Sequence, residues 1–277
     1  MTAAAALVLV LLGSNGHGAI RWEHRYDDAV KKARAARKPI MIDFWADWCA
    51  WCHRLDQTTY VDPVVVKMSE DFIALKLDTE GAKKNQDVAL RFNVATLPTI
   101  AFVTPGGRQI LALKGFQGPG QFPRTMETAR EVASRVMAFE QALDHNPKDA
   151  GALFGLGVHL FEQEFYEDSR ELLYRAAGLD DNRPVADRKQ ARMLIGIIQN
   201  YDRKYAEGEQ VLKEALGMRP ATEYDPKILF VPARLYVAWN KKDSARNVLQ
   251  TLIHEHPDSS VTPKGRELLK SLAREVR

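Results

Sequence analysis

The chain has 277 residues, room for one or two domains at ~100–200 residues each. Its 45 % hydrophobic and 27 % charged content is that of an ordinary folded soluble protein. Net charge is only +3, with no basic stripe carrying interleaved aromatics, and two cysteines three positions apart cannot staple a fold; a nucleic-acid partner and a disulfide scaffold are therefore both disfavoured.

The N-terminus opens with an uninterrupted apolar run, Ala3 to Leu12, followed by small residues in "GSNGHGA". Ten apolar residues suit the core of a signal peptide and fall short of the ~20 needed to span a bilayer. A basic n-region is missing, and no cysteine follows that could carry a lipid. A buried N-terminal helix is the bland alternative. Residues 1–19 are read as a leader, the protein as exported to an oxidising compartment such as the bacterial periplasm, and any membrane contact as limited to an uncleaved leader.

Residues 24–37 follow with alanines at helical spacing in "DDAVKKARAARK", whose basic run reads as a solvated helix face. Pro39 ends it, and "IMIDFW" (40–45) reads as a buried strand. A helix is predicted from about Cys49 to Thr59, another over 62–70, a strand over 72–78 and a helix over 83–93. Strands 99–104 and 109–115 flank the turn "PGG" (105–107) as a hairpin. Breakers at "GPG" (118–120) then give way to a long helix ending near His145. Strands alternating with helices, closed by a hairpin, predict a mixed central sheet with helices on both faces over residues 20–143.

From Pro147 onward no strand signal stands out. The segments 152–161, 192–201 and 229–238 align, with Gly157, Gly196 and Ala233 in register. Twelve residues after each comes another small residue (Ser169, Gly208, Ala245), and four later a leucine (Leu173, Leu212, Leu249); Pro220 and Pro257 close the last two units. This small–small–large spacing lets the two helices of a hairpin pack closely. It resembles the tetratricopeptide repeat, with degenerate units in which Leu153, Arg192 and Leu229 replace the consensus tryptophan. Residues 147–277 are thus read as an all-α solenoid of three repeats, with 262–277 as a capping helix. By repeat register, Phe154, Met193, Asn200, Phe230 and Arg234 face the groove, where packing competes with recognition of a peptide or protein partner.

The chemistry concentrates in "WADWCAWCH" (45–53), which holds both cysteines. Its letters fit a redox dithiol, a c-type haem attachment site with His53 as axial ligand, or half of a zinc site. Zinc is weak, because a structural site wants four ligands and no second pair of ligands is present. Haem is weakened by the buried strand just before the motif. The dithiol fits best. At a strand-to-helix junction the free amides and dipole favour a thiolate on Cys49, and Cys52 stands one turn on, able to close a small disulfide ring. Asp43, a carboxylate inside an apolar strand, is costly unless it is paired or at work.

"MIDFWADWCAWC", "TLPT" (96–99) and "PGG" followed by "KG" (114–115) resemble the thioredoxins over residues 21–140. The stretch "DWCAWCHRLDQTTYVDPVV" is most similar to exported thioredoxin-like domains related to the C-terminal domain of membrane thiol:disulfide interchange proteins. The resemblance implies a thioredoxin fold and thiol–disulfide exchange without a cofactor or metal. Cys49 would attack, Cys52 would resolve, and Asp43 would take the resolving cysteine's proton, accompanied by Lys76 on the neighbouring strand. It implies a cis bond before Pro98 and a client peptide held by Leu97, with Trp48, Ala50, Trp51 and Thr96 forming the surrounding surface. Ala50-Trp51 replaces the Gly-Pro of cytosolic thioredoxins, which leaves the direction of electron flow open, with a reductase slightly favoured. Cysteine-containing proteins and an upstream dithiol donor are the implied partners. A non-enzymatic adaptor built on the repeats is the reading from a different class.

Overall fold

In the computed structural model, which describes residues 19–179 and 182–274, the apolar run Ile40–Trp45 forms strand β1 at the interior of a sheet. The expected leader lies outside the described residues except for Ala19. The chain divides into two compact units between Ala133 and Ser134.

The first unit begins with α1 (Tyr26–Ala36), stopped by Arg37 in a left-handed conformation just before Pro39. After β1 come α2 (Ala50–Arg54), α3 (Pro63–Ser69), β2 (Ile73–Asp78), α4 (Lys83–Arg91), β3 (Thr99–Val103), β4 (Gln109–Lys114) and the long α5 (Phe122–His145), within which the boundary to the second unit falls. Sheet order is β2-β1-β3-β4, with β1 parallel to β2 and both other pairings antiparallel. This is the mixed sheet flanked by helices that the strand and helix signals predict. Local chemistry sets the boundaries: Asp62 caps α3 by accepting from the amides of Val64 and Val65, and Pro63 occupies the first turn, where its missing N–H costs nothing.

Two faces of β1 serve different ends. Ile40, Ile42 and Phe44 are fully buried on one face, where Phe44 meets Phe92 beyond the end of α4 and Tyr26 of α1 meets Phe92 in turn. Met41, Asp43 and Trp45 alternate onto the other face. In parallel register Asp43 stands opposite Lys76, so one side of the sheet carries an acid–base pair between adjacent strands. Upstream of α1, the segment at Glu23 adds a one-residue parallel bridge to the free edge of β2, through Glu23 N–H to Ala74 O (2.8 Å) and Lys76 N–H to Glu23 O (2.9 Å).

One local expectation is corrected. The single helix predicted from Cys49 to Thr59 is α2 followed by a wide π-helical turn, Leu55–Thr59, closed by Tyr60 N–H to Leu55 O. The Thr58 hydroxyl donates to the Arg54 carbonyl at 2.7 Å and Thr59 donates to Gln117 O at 2.8 Å. These side-chain bonds compete with the ordinary helical ladder and pin the wider turn to the loop before α5.

The second unit is helical throughout its described residues. Helices α6 (Ala150–Glu162) and α7 (Tyr166–Ala177), α8 (Val185–Tyr201) and α9 (Tyr205–Gly217), and α10 (Asp225–Ala238) and α11 (Lys242–Glu255) pair as hairpins, followed by α12 (Thr262–Arg274). The repeat register is the packing register. An added Cβ at Gly157 would lie 2.9 Å from Leu173 Cγ, and one at Gly196 would lie 2.7 Å from Leu212 Cγ. Ser169 donates to the Gly157 carbonyl at 2.8 Å, while Ala233, Ala245 and Leu249 are fully buried in the third pair. A bulkier residue at such a crossing has to push the helices apart. Gly196→Val is therefore expected to lower the unfolding free energy of the repeat unit by about 1–3 kcal/mol in urea titration.

Candidate active site

Strand β1 hands the chain to the cysteines. Its last turn out of the sheet is closed by Cys49 N–H to Ala46 O at 3.0 Å, and Cys49, in extended conformation, is the N-cap of α2. The Cys52 amide lies 3.2 Å from Cys49 Sγ and also bonds the Cys49 carbonyl at 3.0 Å, so one helix-end N–H is shared between the first sulfur and the carbonyl of the same residue. A helix-end donor at a sulfur is the kind of neighbour found at reactive cysteines. The two sulfurs are joined as a disulfide at 2.05 Å. Cys49 keeps 4 % of its surface exposed and Cys52 none.

Around the pair the surface is aromatic. Trp48 and Trp51 are 66 % and 59 % exposed, and Ala50 between the cysteines is exposed as well. Trp48 Nε1 donates to Glu80 Oε1 at 2.6 Å, and the Trp51 ring lies 5.3 Å from that of Phe116. The Leu97–Pro98 bond is cis. Pro98 O accepts from Gly115 N–H at 2.8 Å and Thr96 O accepts from the Thr99 hydroxyl at 2.7 Å. Gly115 thus ties the proline loop to the turn whose next residue, Phe116, meets Trp51. Through that turn the structure brings the proline loop and the cysteine helix to one place. His53 turns back, its Nε2 2.8 Å from the Asp47 carbonyl and its ring edge-on to Trp45, so it braces the loop that precedes Cys49.

Beneath this surface lies the charged cluster. Asp43 is wholly buried, and neither carboxylate oxygen finds a well-formed hydrogen-bond donor among the described residues. Lys76 Nζ stands 3.6 Å from Asp43 Oδ2, an ion pair slightly too long for a hydrogen bond. The buried Tyr60 hydroxyl, also without a bond, faces the same carboxylate. Burial pushes the Asp43 carboxyl up to about 7; Lys76 opposes the rise and nearby Asp56 adds to it. Burial also holds the Tyr60 phenol well above its ordinary range.

Lys76 is shared. It donates to Asp56 Oδ1 in the π-helical turn, and its ammonium lies 5.7, 5.3 and 5.7 Å from the ring centroids of Trp22, Trp45 and Tyr60. Asp56, Trp22, Tyr60, Glu80 and Phe116 were not identified from the sequence as part of this region. Asp56 had a signal, because it follows Cys52 at helical i,i+4 spacing and so shares its side of the helix. Trp22 had none, since it precedes every periodic element. In the repeats, the residues assigned to the groove divide: Met193 is buried, Phe154, Asn200 and Phe230 are half-buried, and Arg234 is exposed. The Phe154 ring is covered by the Arg183 guanidinium at 5.3 Å.

Residues 21–105 match the thioredoxin-like family model and residues 137–184 match the tetratricopeptide-repeat model. The chain is 32 % identical over 103 residues to the thiol:disulfide interchange protein DsbD of Yersinia pestis, covering 36 % of this chain and 17 % of that one. It is 39 % identical over 79 residues to the protein of the same name from Salmonella typhi, 28 % of this chain and 14 % of the other. The chain therefore spans less than a fifth of the length of these relatives. Among solved structures it is similar to DsbH oxidoreductase, at 18 % identity and a TM-score of 0.37 over 41 % of this chain and 86 % of that one. It is also similar to the oxidised C-terminal domain of Neisseria meningitidis DsbD, at 21 % and 0.34 over 37 % and 90 %.

The buried acid has a consequence for stability. Asp43 titrates at about 7 in the folded chain and near 3.8 when unfolded, so the folded state holds an extra proton between these values. Stability from this group is therefore greatest below pH 4 and is lost as pH rises toward 7. At ~1.4 kcal/mol per unit the loss approaches about 4 kcal/mol, an upper bound. In urea titrations of the oxidised protein, Asp43→Asn is expected to be the more stable variant at pH 8, with its advantage disappearing at pH 4 and below.

Proposed function

We propose that this chain, a thioredoxin-like domain joined to tetratricopeptide repeats, exchanges disulfides with protein clients through Cys49 and Cys52. The observation that carries the reading is the placement of Cys49: the more exposed of the two cysteines, at the cap of α2, with the Cys52 amide 3.2 Å from its sulfur. In the reducing direction the Cys49 thiolate attacks one sulfur of a client disulfide, and the other client sulfur leaves as a thiolate. Cys52 then loses its proton to Asp43 and attacks Cys49 Sγ, releasing the client as a dithiol and leaving Cys49–Cys52 oxidised. Two electrons pass to the client, and an upstream dithiol donor restores the pair. A carboxyl near neutral pH is suited to this proton transfer at the pH where the protein works. Lys76 keeps it from rising further.

Trp48, Ala50, Trp51, Thr96, Leu97 and Pro98 form the client surface. The exposed rings supply apolar area, and Leu97 offers its backbone to an extended peptide. The repeat unit holds or selects a client or partner, a use supported by its match to a peptide-binding repeat type. The apolar leader and the pair of cysteines reserved for exchange support work outside the cytosol, in the periplasm.

Redox titration of the purified protein with thiol trapping is expected to show one two-electron transition. The reduced protein is expected to reduce insulin, and Cys49→Ser to abolish the reaction. Inactivity at every potential, with Cys49→Ser indistinguishable from the parent, would sink the enzymatic reading and favour the adaptor; a covalent Soret-absorbing species in periplasmic extracts would favour haem attachment at Cys49, Cys52 and His53.

A further inference from the structure

We propose that Trp22 is a positioning residue for the proton chemistry of this site: with Trp45 and Tyr60 it walls the Lys76 ammonium in against Asp43. The inference rests on the reading of Asp43 and Lys76 given above and assigns the site a residue from outside the sheet and the cysteine helix.

The ion pairs alone do not hold Lys76 where it stands. Its direct bond goes to Asp56, whose side chain is 38 % exposed, while Asp43 lies 3.6 Å away and makes no hydrogen bond with it. A lysine on a flexible four-carbon stem, given that choice, follows the wetter carboxylate outward. Three ring faces oppose that movement. Trp45 belongs to β1 itself, and Tyr60 closes the π-helical turn. Trp22 supplies the third, with its centroid 5.7 Å from Nζ and its ring edge-on to Tyr60 at 5.0 Å. An ammonium within about 6 Å of several ring faces is attracted to each, and more strongly where water is excluded. Lys76 is only 12 % exposed.

Trp22 is itself fixed by its neighbours. Glu23 is bonded to Ala74 and Lys76 through the backbone, and its side chain accepts from Lys32 at 2.5 Å. Trp22 therefore adds an uncharged ring to the wall, while the neighbouring Glu23 carboxylate is engaged by Lys32. The charged and titratable groups that act on Asp43 are Lys76 from β2, Asp56 from the π-helical turn and Tyr60 from the residue after it. Its partner on β3, Ile100, carries no charge.

Because Lys76 opposes the upward shift of Asp43, loosening Lys76 raises the proton affinity of the carboxyl further. The test is a single-turnover pH profile for insulin reduction by the full chain, prepared reduced, with a thermal melt of each variant. Trp22→Ala is expected to move the acid-side midpoint up by about half a unit, slowing the reaction about threefold on that limb. The direction should match Lys76→Met, the shift should be no larger, and Trp22→Phe should keep the parent profile. A Trp22→Ala protein that melts earlier with an unmoved midpoint, or whose midpoint moves down, overturns the inference while leaving the reading of Asp43 intact. An unmoved profile in Asp43→Asn overturns that reading, and the inference with it.

Discussion

A carboxylate with no exposed surface in the strand that leads to the cysteines is the constraint around which the first unit is organised. Moving an ionised group out of water costs far more than a domain's net stability unless the group is paired or takes up a proton. Asp43 draws on both remedies. The parallel register of β1 and β2 places Lys76 opposite it, and burial lifts its titration to about 7. Around the pair stand Tyr60 beyond a widened helical turn, Asp56 within that turn, and Trp22 on a segment bridged to the sheet edge.

The same strand sets the reactive surface. Three residues after Trp45 the chain reaches Trp48 and then Cys49, whose sulfur receives a helix-end amide. The proline loop is tied by Gly115 to the turn carrying Phe116, and Phe116 meets Trp51. Cys49 is nearly enclosed beside these exposed rings, and Cys52 is fully buried. The repeat unit follows a different economy of packing, in which small residues at fixed intervals let helices approach and leucines fill the space beside them.

Much of this was legible in the chain because it follows from short-range rules. Alternation and length gave β1, β2 and the hairpin, and Asp43 stood out as the one charge inside "IMIDFW". The three-fold register of Gly157, Gly196 and Ala233 marked the helix crossings, since only small residues tolerate such contacts. What escaped depends on contacts between distant segments. The π-helical turn arises where threonine hydroxyls bond to Arg54 and Gln117, and the second of these partners is 58 residues away. Trp22 is recruited by a single backbone bridge, which leaves no periodicity to read. Phe116 sits in a loop rich in breakers, where sequence indicates a turn and says nothing of which ring it will meet.

The most direct test of the account is the titration of Asp43 itself. With the carboxyl carbon of aspartate labelled, its resonance in the oxidised full chain can be followed by NMR from pH 3 to 10 and assigned through Asp43→Asn. A midpoint near 7 is expected for the Asp43 signal, lying still higher when Lys76 is replaced by methionine. A midpoint near the ordinary 3.8, unmoved by loss of Lys76, would show that the carboxylate is hydrated and independent, and would contradict the account at its root.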